Sequence, residues 1–160
     1  MPLLILIFSL LLAPGKSLSD IRSMYHASIY SAEQSKEIVS YFDKQPANTP
    51  IEMAYEGASR MVRAKYLFFP TDKLSSFQKG KNLVEEAVKR ESSSVEIRYL
   101  RYSLQLESPG FLGYRQNLTE DRKFLVEQYP HIKDSELKLR LKDFLIKEAK
   151  LSIEEQKIIR

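Results

Sequence analysis

Arg98, Arg101 and Gln105 stand three and four residues apart, the spacing that stacks side chains along one side of a helix. Two guanidiniums so aligned suit a carboxylate or phosphate group. Tyr102 and Tyr114, the tyrosines that would join them, bring phenol groups. These five residues are the candidate binding set, for a small anionic ligand or for an atypical reaction upon one. The stripe also suits a structural role, in which Arg98 and Arg101 pair with Glu52, Glu56 or another carboxylate of a neighbouring helix. Of the two readings the sequence favours the pairing.

Other reactive patterns are missing. His26 and His131 are far apart and lack carboxylates at ligand spacing. No glycine-rich phosphate loop, nucleophile elbow or metalloprotease histidine pair occurs. Glu85-Glu86, Glu120-Asp121 and Glu154-Glu155 are adjacent in sequence, so on helices their carboxylates diverge by about 100° and cannot share a substrate. Cysteine is absent, which excludes disulfides, thiolate ligands and cysteine nucleophiles. The expectation is a protein without catalytic residues, metal or cofactor.

An apolar share of 43% belongs to a globular chain. The net charge of +4 is concentrated in residues 57–101, which carry ten basic and five acidic side chains. That density is below what a nucleic-acid module shows, so a solvated, lysine-rich surface is expected and no nucleic-acid partner. Residues 1–13 are almost wholly apolar, too few to span a bilayer that needs about 20. They have the size of a secretory signal's core, with small residues at Ala13 and Gly15 before Lys16. The expected organisation is therefore a cleaved signal over 1–15 and one helical domain over 16–160, exported to the periplasm or beyond the cell. A buried N-terminal helix, or an uncleaved N-terminus held at a membrane surface, is the alternative.

The elements that must carry the arginine stripe read as helices throughout. Residues 20–42 form one helix or two broken near Ser31. Residues 51–68 place Ala54, Tyr55, Ala58, Met61 and Val62 on one face, with Gly57 at a tight crossing. Pro70 ends that helix, and Thr71 or Asp72 is expected to cap the next, 73–89. Residues 95–107 differ, because Ile97, Leu100 and Leu104 form one apolar face while Val95, Tyr99, Tyr102 and Leu106 form another. A helix with two opposed apolar faces is covered on both sides. The apolar loop 109–114 is expected to tuck against the helices. Short helices over 119–129 and 134–150 follow, and Ser152 with Glu155 caps a last helix expected to fray.

Gly80, Val84, Ala87 and Ser92 stand where the second helix of a tetratricopeptide repeat carries Ala, Phe, Ala and Pro, and Tyr55, Gly57 and Ala58 resemble its first helix. The chain is also similar to small uncharacterised secreted bacterial all-helical proteins, through Tyr55-Glu56-Gly57-Ala58, Glu96-Ile97-Arg98 and Phe111-Leu112-Gly113-Tyr114. These resemblances imply an all-α fold of six or seven helices in antiparallel hairpins, a tetratricopeptide-like stack. The expected function is a non-catalytic interaction or scaffold protein that binds a peptide or protein partner.

Overall fold

The computed structural model describes residues 15–159, so the expected secretory signal lies outside the described residues. Among the described residues eight α-helices stand where six or seven were expected: α1 (Leu18–Ser28), α2 (Ala32–Lys44), α3 (Pro50–Tyr66), α4 (Pro70–Arg90), α5 (Val95–Glu107), α6 (Leu118–Gln128), α7 (Ser135–Glu148) and α8 (Ile153–Ile159). Single 3-10 turns cover Gly110–Leu112 and Tyr129–His131. No strand occurs among the described residues, and the fold is all-α. No described helix is long and apolar enough to cross a membrane.

Side-chain caps set most of the boundaries. Ser17 caps α1, and Asp20 sits three residues in, where its carboxylate reaches back to the Ser17 N–H (3.1 Å). That reciprocal box satisfies two otherwise orphaned donors. Ser31 accepts from the Gln34 N–H and breaks the first helical region in two, which adds to the expected count. Thr49 and Glu52 form a second box ahead of Pro50. α4 begins at Pro70 rather than after Thr71 or Asp72, because a proline at the first helical position gives up no hydrogen bond and arrives with helical φ.

Two apolar clusters form, and α5 belongs to both. Ile97, Leu100 and Leu104 join residues of α1 to α4 together with Tyr114. Tyr99 and Tyr102 join Leu125 and Val126 of α6, Leu141 and Leu145 of α7, and Ile159 of α8. Both tyrosines are buried, so the two apolar faces of α5 are covered as its periodicity requires. Ile159 is fully buried and anchors the end of α8, contrary to the expected fraying. In the loop, Tyr114 is buried and Leu112 packs on the first cluster, while Phe111 stays exposed.

The tightest packing is between α3 and α4, which run antiparallel: Gly57 faces Gly80, and Ser76 Oγ donates to the Arg60 carbonyl (2.7 Å). A methyl on Gly57 would come within 2.6 Å of the Gly80 carbonyl oxygen and 2.8 Å of Val84 Cγ2. Backbone cannot move aside cheaply in a packed interior. Gly57→Ala should therefore cost about 1–3 kcal/mol, net of its gain in helix propensity. Gly110→Ala, whose added methyl meets nothing within 4 Å, should leave stability near the parent's. Urea unfolding of both variants checks this, and a Gly57→Ala midpoint equal to the parent's would remove the close crossing from the account.

Candidate functional site

The five expected binding residues divide between two environments. Arg98, Arg101, Gln105 and Tyr114 share one polar network, whereas Tyr102 lies in the second apolar cluster with its ring against Phe144 (5.9 Å). The network's centre is Asp121, wholly buried in the first turn of α6, where the helix dipole also favours a negative charge. Arg101 grips it with both arms, Nε to Oδ2 at 2.7 Å and Nη2 to Oδ1 at 2.8 Å. Its remaining Nη1 donates to Glu85 on α4 (3.2 Å). Arg98 sets Nε against Asp121 and donates from Nη2 to Glu120 (2.8 Å). The Tyr114 hydroxyl donates to Glu85 (2.6 Å), and Gln105 exchanges hydrogen bonds with Asn117 (3.1 and 3.0 Å).

The guanidinium donors that would greet a small anion are thus engaged with carboxylates of the same chain. The partners are Glu85, Glu120 and Asp121; Glu52 caps α3 and Glu56 pairs with Arg60. The other polar stripe of α5 holds a second buried pair. Glu96 receives both arms of Arg22 (2.6 Å each) and the Tyr55 hydroxyl (2.6 Å). Arg22 reaches on to Asp134 (2.8 Å) and Glu136 (3.4 Å) at the start of α7. The sequence signal for this pair is the two-faced α5 itself, whose intervening stripes must go indoors with it.

The open space in the molecule lies elsewhere. A cleft of about 680 Å³ runs between α1, α3, α4, α5, the Gly110–Leu112 turn and α7. Its walls are mostly aliphatic and aromatic: Tyr25 from α1 and Ile29 just past it, Met61 and Val62 from α3, Leu74 and Phe77 from α4, Leu100 and Leu104 from α5, and Phe144 from α7. Lys65, Lys73 and Lys147 are matched by Glu107, Asp143 and Glu148 in the lining, and Lys65 pairs with Glu107 (3.6 Å). Ser103 donates its hydroxyl to the Leu100 carbonyl (2.9 Å). A concave, largely apolar surface with few polar groups is the usual form of a binding site.

His26 also lines this cleft, its ring against Tyr25 (5.5 Å). Burial, reinforced by the Arg140 charge, lowers its pKa to about 4, despite the opposing pull of Glu136 and Glu96. At neutral pH the imidazole is uncharged. Among the described residues, no three side chains gather as a metal-ligand group.

Two predictions follow from the buried charges. Asp121→Asn leaves two guanidiniums short of their counter-charge and should cost about 3–5 kcal/mol. The triple variant Arg98→Met, Arg101→Met, Asp121→Leu should recover most of that in urea unfolding, because no fully buried charge remains and the carboxylates of Glu85 and Glu120 reach water. A loss under about 1 kcal/mol for Asp121→Asn would show the network to be solvated. For His26 the folded value lies below the ordinary 6.5, so below pH 6.5 the unfolded chain takes up a proton that the folded chain refuses. Its effect is absent above that range and destabilises progressively as pH falls towards about 4. His26→Gln should accordingly flatten the fall in unfolding midpoint between pH 7 and 4, and parallel curves would contradict the assignment.

No known protein family, curated protein or solved structure matches this chain, and its function is therefore read from its own geometry.

Proposed function

We propose that this protein is a non-catalytic helical binding protein whose cleft seats an apolar segment of a protein or peptide partner. The observation that carries this is the cleft's composition together with its edge. Tyr30 and Phe111 line it while remaining 87% and 88% exposed. Leu74 is half in water as well, and Phe68 with Phe69 forms an exposed ring pair beside it at the head of α4. Large aromatic groups held in water around an apolar depression are characteristic of surfaces that a partner covers.

The charge pattern supports a protein partner over nucleic acid, because the lysines of the lining are offset by carboxylates of the same lining. The antiparallel α3–α4 pair, with its glycine crossing, supports a tetratricopeptide-like hairpin at the centre of the stack. The apolar N-terminal stretch supports an exported protein, which without cysteine relies on packing alone. In that setting the partner is a protein of the envelope or the exterior.

The test compares the full chain with Leu74→Asp/Phe111→Asp, two substitutions at exposed positions that should leave the unfolding midpoint within about 0.5 kcal/mol of the parent. Both proteins are used as bait in an envelope extract under matched conditions. The expected result is a partner retained by the parent and reduced at least about tenfold with the variant, a loss of about 1.4 kcal/mol of binding. Identical captures by the two baits would remove the cleft as the binding surface.

A further inference from the structure

The cleft contains a pair of hydroxyls without an acceptor in the protein. Tyr25 comes from α1 and Tyr99 from α5, and each is more than nine-tenths buried (5% and 8% exposed). Both rings are held edge-on by neighbours, Tyr25 by Tyr55 (5.4 Å) and Tyr99 by Phe144 (5.3 Å). Three other tyrosines donate within the protein, Tyr55 to Glu96, Tyr114 to Glu85 and Tyr66 to the Ile29 carbonyl. Tyr25 and Tyr99 have no acceptor among the described residues, and both line the cleft. Arg98 Nε is the buried side-chain donor left without a hydrogen-bond partner among the described residues, so the two phenol oxygens reach the cleft's solvent, and a bound group that excludes that solvent must accept from them or leave a buried donor unmade.

Resting on the cleft as the binding site, we infer that Tyr25 and Tyr99 determine its specificity. They select an uncharged hydrogen-bond acceptor set within an apolar segment, namely a carbonyl of the bound peptide. The surroundings explain why the acceptor carries no charge. Arg22, Arg98 and Arg101 are committed to the buried networks, Lys65 is paired with Glu107, and the neighbouring imidazole of His26 is neutral. The charges of the lining favour neither sign, three lysines (Lys65, Lys73 and Lys147) standing with three carboxylates (Glu107, Asp143 and Glu148), so an ion pressed against the two phenols loses its water with no net opposite charge to receive it. Burial keeps both phenols protonated, that of Tyr99 pushed up to about 12 with the nearby Arg140 charge opposing the shift. They therefore donate at any physiological pH.

The discriminating experiment uses four ten-carbon probes, decane, decan-2-one, decanoate and decylamine, each displacing the neutral dye Nile red from the full chain. The parent should bind decan-2-one about tenfold more tightly than decane, with decanoate and decylamine weaker than the ketone. Tyr25→Phe/Tyr99→Phe removes only two hydroxyl oxygens and keeps the rings, and its unfolding midpoint reports on folding independently. That variant should bind decane and decan-2-one alike. A ketone preference that survives in the double variant, or strongest binding of either ion by the parent, overturns the specificity assignment while leaving the cleft as the binding site. Failure of the parent to bind the dye or any probe overturns the cleft itself, and this inference with it.

Discussion

α5 is buried on both sides, and that constraint sets the arrangement around it. Its apolar faces are taken by two separate clusters, so the polar stripes between them are drawn indoors as well. Glu96, Arg98, Arg101 and Gln105 are all buried on this one helix of 13 residues. Each charge must find a counter-charge or abandon ionisation, because an isolated buried ion is far costlier than any single contact can offset. The partners come from α1 (Arg22), α3 (Tyr55), α4 (Glu85) and α6 (Glu120 and Asp121). Such pairs add little net stability over apolar replacements. They discriminate between packings, since a helix rotated or shifted by one residue would bury the charges without their mates.

The cleft is the geometric counterpart of that arrangement. Arg22 ties α1 to the beginning of α7 through Asp134 and Glu136. Further along, Ile29 and Tyr30 just past the end of α1 and Phe144 and Lys147 late in α7 instead line open space. Two helices clamped at one end and separated at the other leave a wedge between the clusters. The residues at its base come from both: Leu100 and Leu104 from the first, Tyr99 and Phe144 from the second. The close α3–α4 crossing at Gly57 and Gly80 gives one wall a backbone that cannot collapse inward.

How far this was legible in the sequence depends on the range of the interaction. The two faces of α5 follow from 100° periodicity, and the crossing at Gly57 follows from a glycine within a small-residue face. A cap was legible where one clear candidate stood, as at Ser152 with Glu155. The start of α4 was misplaced, because Pro70, Thr71 and Asp72 each offer one. Pairing of the arginines was legible as a need but not as an address. Asp121 lies 20 residues from Arg101 and Glu96 lies 74 from Arg22, and helical periodicity carries no information at those separations. Asp121 even reads as one of two interchangeable surface acids beside Glu120, although burial separates them completely. The cleft was invisible for the same reason, since five helices and a turn each contribute a few residues to it.

The division of labour between charge and cleft bears on the kind of recognition this fold can perform. Its strongest donors and acceptors are spent on holding α5 in place, and displacing any of them exposes a buried partner. What remains for a ligand is mostly apolar surface, with phenol hydroxyls, a neutral imidazole and lysines balanced by carboxylates. Affinity then comes from the area covered, at roughly 25 cal/mol per Å² before the losses of association. Discrimination comes from whether the ligand's polar atoms find donors or are stranded. On the proposed reading, such a site would reject charged ligands through desolvation rather than repulsion, and its selectivity would be insensitive to salt, unlike that of a basic groove, which weakens as screening increases.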